Sequence, residues 1–338
     1  MSSNRLFRRL ATTTASASTA SLLRPAALGG DSRVALARMR DSTSSLGDPE
    51  ALRAAYEEDG YLLLRGLLDR DNVSSARRAI IERLSGMGRI DENARSSRDD
   101  DSAPIAGDEK LGVGLYQDYE LQKRPEVKTL LEASELFSFF ESFFGEPCLT
   151  YSYKWLRAVA QEEFTGAHLD TVYMGRGSQD LMTAWIPLGD LSCEDGTLMV
   201  CPSSHTDEAY KMLRDEYGKL DVDRDVPGNP SASGHVTNCP TSWDAKAGFS
   251  QHWDHDALQA AVPPRLRSTW VSEDFQMGDV VVFGMRTLHM STTNLKQDFR
   301  ISCDTRWQPA SHPVDERWSG SPEEGARHRF FIGDDPSR

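Results

Sequence analysis

The spacing of apolar residues predicts helices and one strand in the first half of the chain. Residues 49–59 and 70–86 carry apolar side chains every three or four positions, as the buried face of a helix requires. Residues 124–145 continue the helical pattern as far as Gly145, and a proline follows two residues later, so a helix ends there. Between the first two helices, Tyr61–Leu64 is a short apolar run that predicts a strand.

From Thr150 onward the pattern changes to short strands separated by turns. A turn pair at Gly278-Asp279 precedes a β-branched run, which predicts a buried strand that ends at His289. Residues 299–307 alternate with period two after a short polar connection and predict its antiparallel partner. The fold class that follows is mainly β with flanking helices, around a jelly-roll or cupin-like core.

Residues 206–270 interrupt the strand pattern. They contain Pro227-Gly228-Asn229-Pro230 and three tryptophans, and a connection of this length inside a compact domain is typical of a functional lid or a helical insert. We therefore expect one domain over residues 46–312 that contains this insert, with a C-terminal tail at residues 313–338.

Residues 1–45 are expected to lie outside that domain as a disordered transit peptide. The first forty residues contain seven Arg and a single acid, Asp31, and residues 11–21 are dense in Ser, Thr and Ala. Such a start is typical of an organellar targeting segment, so we expect import into a mitochondrion or a plastid. No apolar run is long enough for a secretory signal or a membrane span.

The chain is acidic, with a formal net charge of −14 at pH 7. Acidic proteins repel phosphate backbones and anionic lipids, so we expect neither a nucleic-acid partner nor membrane insertion. Five cysteines are scattered without a CxxC pair, which predicts neither a disulfide framework nor a zinc cluster. The pattern leaves the oligomeric state open.

A candidate metal site comprises His168 and Asp170, together with the distant His289. If the backbone is extended at the first pair, their side chains point to the same side. Two imidazoles and one carboxylate can hold a divalent iron on one face and leave the opposite positions open, which is the ligand set of non-heme Fe(II) oxygenases.

Arg300 is a candidate anchor for an acidic cosubstrate. If its strand pairs with the strand that ends at His289, both residues lie within reach of one pocket. A guanidinium offers a planar fork of donors that matches a carboxylate. Ser291, two residues beyond His289, could add a hydroxyl to the same carboxylate.

These motifs together resemble the phytanoyl-CoA dioxygenase family of Fe(II)/2-oxoglutarate oxygenases. Family members have a double-stranded β-helix that carries a His-x-Asp, a distal His and then an Arg about eleven positions later; Arg300 lies eleven positions after His289 here. The resemblance runs from about Ala51 to Pro309 and includes four segments, namely Glu58–Gly66, Thr183–Asp190, Gly196–His205 and Arg300–Pro309.

The resemblance implies that Fe(II) is held by three ligands, His168, Asp170 and His289. It also implies that Arg300 and Ser291 hold the distal carboxylate of 2-oxoglutarate. Trp185 lies near a position where the family places an aromatic residue beside that cosubstrate.

The implied reaction is hydroxylation of a C–H bond in a small molecule, with O2 consumed and 2-oxoglutarate released as succinate and CO2. Ascorbate is expected to help in vitro. Halogenating relatives replace the carboxylate ligand with a small residue, so Asp170 favours hydroxylation. A lysine that some fatty-acyl members use before a Gln-Asp pair is absent from Gly114–Asp118, which argues against phytanoyl-CoA itself.

Two other functions remain possible from the sequence. A cupin-like isomerase or hydrolase could use the same triad with zinc or manganese as a Lewis acid, although it needs no dicarboxylate anchor such as Arg300. A non-catalytic sensor could bind iron or 2-oxoglutarate, although it need not retain every expected ligand. The identity of the substrate is not determined by these patterns.

Overall fold

The computed structural model describes residues 26–27, 33–34, 36–98, 101–107, 115, 118–225 and 270–318. Its helices are α1 (Pro49–Asp59), α2 (Arg70–Gly86), α3 (Glu92–Ser96), α4 (Tyr119–Lys123), α5 (Pro125–Leu131), α6 (Ser134–Phe144), α7 (Thr171–Met174), α8 (Lys211–Asp215) and α9 (Val222–Asp225). Its strands are β1 (Ala26–Ala27), β2 (Arg33–Val34), β3 (Ala37–Arg38), β4 (Tyr61–Leu64), β5 (Cys148–Thr150), β6 (Trp155–Val159), β7 (Met182–Pro187), β8 (Leu198–Val200), β9 (Val271–Ser272), β10 (Val280–Gly284), β11 (His289–Ser291) and β12 (Arg300–Pro309).

Two sheets form the core. The larger sheet has the order β4-β10-β7-β12, and β6 and β5 pair in succession with the other edge of β12. The smaller sheet has the order β11-β8-β9-β3, in which only the β3–β9 pair is parallel. Apolar side chains from both sheets share one buried cluster, in which Trp185 and Val281 pack with Leu198 and Val200. The sheets therefore face each other, as the predicted jelly-roll core requires.

Alternation along β12 separates a helix-covered face from a polar face. Ile301, Cys303 and Trp307 belong to the cluster that includes α2, α5 and α6. The Trp307 ring stacks on Phe140 of α6 with centroids 4.8 Å apart and planes at 11°. Because successive strand residues point to opposite faces, the intervening positions, which include Arg300, point between the two sheets.

The predicted helices at residues 49–59 and 70–86 and the strand at Tyr61–Leu64 are confirmed. The predicted helix at residues 124–145 is instead two helices, α5 and α6. Ala133 separates them, because its extended backbone (φ −62°, ψ 144°) breaks the helical path. The second helix ends as expected at Gly145, which adopts a left-handed conformation (φ 76°).

The predicted pairing of the last two strands is wrong. The β-branched strand ends at Gly284, and a turn closed by the Thr287 amide and the Gly284 carbonyl carries the chain into the other sheet, where His289 begins β11. The strand that begins at Arg300 does not pair with β10 either, because β7 lies between them. Periodicity predicts that a strand exists, whereas strand order depends on which sheet each connection enters.

The predicted domain boundaries at residues 45 and 313 also need correction. Residues 37–38 form β3 in the smaller sheet, and Leu36 and Met39 are buried. At the other end, Trp318 is buried against Trp155. The described fold therefore extends from about residue 36 to residue 318. Most of the predicted targeting segment and residues 319–338 of the predicted tail lie outside the described residues.

Of the predicted insert, residues 206–225 and Trp270 are described; residues 226–269 lie outside the described residues. The first of these segments is helical, and Tyr210, Leu213 and Tyr217 are buried in a cluster that also contains Leu169 from the His168–Asp170 segment. The insert thus begins by packing against the loop that carries two of the candidate metal ligands. Among the described helices, none combines the length and the apolar character needed to cross a membrane.

Candidate active site

The three predicted metal ligands lie together between the sheets. His168 and His289 form an antiparallel β-bridge, and Asp170 lies at the N-terminal end of α7. The Asp170 Oδ1 atom is 3.7 Å from Nε2 of His168 and 3.8 Å from Nε2 of His289. One potential ligand atom from each residue lies within 4.8 Å of the other two, and all three residues are buried. The sequence argument assumed an extended backbone at this pair. Asp170 instead has a helical conformation (φ −64°, ψ −21°) and leads directly into α7.

Hydrogen bonds fix the orientation of both imidazole rings. The Nδ1 atom of His168 is 2.8 Å from the Gly166 carbonyl oxygen, and that of His289 is 2.9 Å from the Thr287 carbonyl oxygen. Because a carbonyl can only accept, each Nδ1 donates a proton and each Nε2 retains the lone pair that binds a metal. Two nitrogens and one carboxylate oxygen on one side of a site fit a divalent iron.

Two side chains hold the Asp170 carboxylate on the side that faces away from the histidines. Its Oδ2 atom accepts a hydrogen bond of 2.7 Å from the Thr183 hydroxyl, and the Arg306 guanidinium lies at 3.3 Å. Burial alone would raise the pKa of this carboxyl group, but Arg306, the two histidines and the Thr183 hydrogen bond outweigh it and place the pKa well below its ordinary value. The candidate ligand is therefore an ionised carboxylate. Burial lowers the pKa of His289, which favours the neutral, metal-binding imidazole.

Arg300 lies in the same pocket as His168 and His289. Its side chain is buried, it donates a hydrogen bond to the Ser302 hydroxyl, and its Nε atom has no hydrogen-bond partner. No carboxylate of the described residues forms an ion pair with it, whereas Arg157 in the same pocket pairs with Asp304 at 3.0 Å. Burial and the nearby Arg157 lower the pKa of Arg300 to about 10. The carboxylates of Asp304 and Glu163 act on this charge from beyond ion-pair distance. A buried cation without a direct ion-pair partner favours an anionic ligand.

A comparison with protein-family models places this site in a known context. The model described as Phytanoyl-CoA dioxygenase (PhyH) matches residues 56–302, which include all three candidate ligands and Arg300. The chain belongs to the phytanoyl-CoA dioxygenase family. It is accordingly a 2-oxoglutarate-dependent dioxygenase that binds iron.

Two curated relatives are similar over most of this family member. The 1-deoxypentalenic acid 11-beta-hydroxylase of Streptomyces arenae is 26% identical over 286 residues, which cover 80% of this chain and 85% of that protein. The enzyme of the same name from Streptomyces exfoliatus is 26% identical over 283 residues, with the same coverage. Among solved structures, the non-heme alpha ketoglutarate dependent carbocyclase SnoK from nogalamycin biosynthesis has a TM-score of 0.51 and 20% identity, and the match covers 88% of this chain and 96% of SnoK. This likeness confirms the predicted double-stranded β-helix fold.

The pocket of this phytanoyl-CoA dioxygenase family member also contains Ser291 and Trp185. The Ser291 hydroxyl oxygen accepts a hydrogen bond of 2.7 Å from the Thr165 amide, which leaves its own proton available for donation. The Trp185 ring packs edge-on against Phe275, with centroids 4.9 Å apart. The free volume of the pocket is about 30 Å³, roughly the share of one water molecule in the liquid.

Two functional residues of this family member were not assigned from its sequence. Arg306 and Thr183 contact the Asp170 carboxylate, and Arg306 also stacks over Trp155 with its guanidinium carbon 4.6 Å from the ring centroid. The signal for Arg306 was available, because it lies six residues after Arg300 and therefore on the same face of β12. No comparable signal was available for Thr183. Its partner Asp170 lies outside the strands, so strand periodicity cannot relate the two residues.

Proposed function

We propose that this protein is a hydroxylase of a small molecule in which His168, Asp170 and His289 hold Fe(II) and Arg300 holds 2-oxoglutarate. The observation that carries the proposal is the position of the Arg300 guanidinium. It is buried, lacks an ion-pair partner among the described residues, and lies in the same pocket as His168 and His289. A Lewis-acid isomerase or hydrolase has no use for such an anchor, and family membership also argues against one.

Each pocket residue has a part in this proposal. Arg300 binds the distal carboxylate of 2-oxoglutarate bidentately, and the Ser291 hydroxyl donates to the same group. Trp185 flanks the cosubstrate, and the apolar side chains of Leu198 and Phe283 exclude water from it. When bound, Fe(II) with 2-oxoglutarate and O2 supplies the oxidising equivalents for C–H hydroxylation, and 2-oxoglutarate leaves as succinate and CO2.

Hydroxylation is the favoured outcome because Asp170 keeps its carboxylate. Thr183 and Arg306 hold Oδ2 of this carboxylate, so Oδ1 faces the two histidines. The curated relatives are hydroxylases of an organic acid by name, which supports a small organic molecule as the substrate class here.

Succinate formation tests the proposed function. The purified chain is incubated with Fe(II), ascorbate, 2-oxoglutarate and a panel of small organic acids and terpenoids, and succinate and substrate mass are followed. We expect succinate and a product heavier by one oxygen. The proposal is wrong if no substrate raises turnover above that of the His168→Ala variant.

We also propose that the segment before residue 36 directs import into an organelle. The Arg-rich, acid-poor composition of the start of the chain supports this proposal. A fusion of residues 1–35 to a fluorescent protein is offered to isolated mitochondria and to isolated chloroplasts. Protease-protected fluorescence is expected in one of them, and it should be lost when Arg5, Arg8 and Arg9 are replaced by Ala. Import into neither organelle would refute the proposal.

A further inference from the structure

A second cavity of about 400 Å³ borders the loop that carries the metal ligands. His168 lines the iron pocket, whereas its neighbours Leu169 and Thr171 line this second cavity. The two cavities share no lining residue, so they are separate sites. A volume of this size is in the range of small-molecule sites, which begins at about 300 Å³.

The lining of this second cavity is rich in cations. Five basic residues face two acidic ones, Asp215 and Asp221; the basic residues are Arg176, Arg214, Lys219, Arg224 and Arg286. This local excess of positive charge occurs in a chain with a net charge of −14. A concave surface lined by one sign of charge concentrates ligands of the opposite sign.

Both acidic residues of the cavity already have basic partners. Asp221 accepts two hydrogen bonds from Arg176, at 2.6 and 2.9 Å, and Asp215 pairs with Lys211 at 3.0 Å. In the described part of the chain, Arg286 contacts only the neutral side chain of Gln179, at 3.1 Å, and no carboxylate lies within ion-pair distance of Arg286 or Lys219. Neither positive charge therefore has an ion-pair partner among the described residues, and Lys219 acts on the Asp215 carboxylate only from a longer distance.

Two further groups of the cavity, Arg214 and Thr171, complement Arg286 and Lys219. Arg214 donates to the backbone carbonyls of Ser204, Thr206 and Asp207 at 2.8 to 3.1 Å, so its position is set although its charge has no carboxylate at hydrogen-bond distance. Thr171, which is only 7% exposed, lines the cavity, and its hydroxyl has no hydrogen-bond partner. A buried hydroxyl is normally hydrogen-bonded, so this one is suited to donate to a ligand.

We propose that the second cavity binds a multiply charged oxyanion of the phosphate type. Arg286, Lys219 and Arg214 supply the positive charge, and Thr171 supplies a neutral donor. The anion is either free phosphate or a phosphate group on a larger metabolite, which the volume of the cavity accommodates. This site is independent of the proposed 2-oxoglutarate anchor at Arg300.

Isothermal titration of the full chain with inorganic phosphate, at constant ionic strength, tests the proposal. We expect saturable binding that weakens roughly tenfold or more in the variant Arg286→Gln/Lys219→Gln, because two charge-assisted contacts are lost. The control Arg78→Gln/Lys128→Gln makes the same change in net charge at two exposed helical residues that do not line the cavity, and should leave the affinity within about twofold.

Three further titrations test whether the phosphate site is separate from Arg300 and whether it prefers free phosphate or an organic phosphate. The variant Arg300→Ala should keep its phosphate affinity while it loses affinity for 2-oxoglutarate, and this separates the present inference from the proposed function. A parallel titration with glycerol phosphate distinguishes an organic phosphate from the free ion, and binding of either supports the site. The inference is overturned if neither binds, if only an adventitious, non-saturable interaction is seen, or if Arg300→Ala abolishes phosphate binding.

Discussion

His168 and His289 exchange both of their backbone hydrogen bonds, with N···O distances of 3.0 and 3.2 Å. Residues paired in this way on antiparallel segments project their side chains to the same side. The two ring centroids are 4.2 Å apart as a result. Main-chain hydrogen bonds between the loop before α7 and β11 therefore position two of the three candidate ligands.

Replacement of Asp170 by Ala should abolish hydroxylation, because the proposed iron site loses its only carboxylate. Residual affinity for 2-oxoglutarate should remain, since Arg300 is unchanged. Product formation is followed by mass spectrometry and 2-oxoglutarate binding by calorimetry. A fully active Asp170→Ala enzyme would remove this residue from the ligand set.

Arg300→Ala should weaken 2-oxoglutarate binding by roughly 10- to 100-fold, because a buried carboxylate loses its charged partner. The apparent KM for 2-oxoglutarate and its calorimetric Kd both report this change. Arg78→Ala serves as a control, because this side chain is 59% exposed on α2 and does not line the pocket. Equal affinities in the two variants would contradict the assigned anchor.

Thr183→Val should lower the affinity for Fe(II) about 10- to 100-fold, because partners that orient a metal ligand have effects of this size. The valine keeps the shape of the side chain but cannot donate to Asp170 Oδ2. Thr305→Val is a matched control on the neighbouring strand, since the Thr305 hydroxyl accepts from Trp307 Nε1 at 2.8 Å instead. Anaerobic Fe(II) titration compares the two variants, and a loss of the same size in both would identify a merely structural effect.

Trp307→Ala should lower the free energy of unfolding by about 3–5 kcal/mol, because a fully buried aromatic side chain is removed. Its ring is stacked on Phe140 and meets Phe137 edge-on, so the variant leaves a cavity between α6 and the larger sheet. Urea denaturation measures the change. Met87→Ala, at a position that is 44% exposed, should alter stability by less than about 0.5 kcal/mol.

Truncation at residue 36 or at residue 46 should show whether β3 contributes to the stability of the fold. A chain that starts at residue 36 retains β3 and should melt at the temperature of the full chain. A chain that starts at residue 46 should melt at a lower temperature, because it loses β3 and the buried Leu36 and Met39. Each of these two side chains contributes about 1.5–3 kcal/mol by burial. Equal melting temperatures for the two chains would show that β3 contributes no stability.

The sequence predicted those parts of the fold in which the local spacing of apolar residues fits only one type of secondary structure. The helix at residues 70–86 has a regular apolar face and an Asp69 N-cap, so its limits agree with the prediction. The candidate ligands could be named from the sequence because a His-x-Asp, a distal His and an Arg occur at the spacing of a known family, and the structure brings the three ligand side chains together. Local patterns and a family motif therefore predicted the core and the main site residues.

Strand order and the partners of the ligands could not be predicted in the same way. Nothing in the residues around His289 indicates that the chain changes sheets after Gly284, because both segments are short and fully buried whichever sheet they join. The contacts of Asp170 with Thr183 and Arg306 join three segments that are remote in sequence. The strand Ala37–Arg38 is defined by its pairing with Val271–Ser272, and a strand of two residues is too short to show an alternating pattern in the sequence.

The contact between Arg306 and Asp170 has a consequence for how the enzyme matures. An internal guanidinium neutralises the ligand carboxylate, so the barrel can close without waiting for a metal to balance that charge. We therefore expect iron to bind to the folded protein and to leave without unfolding it. Chelation should yield a folded protein that regains its activity when ferrous salt is restored.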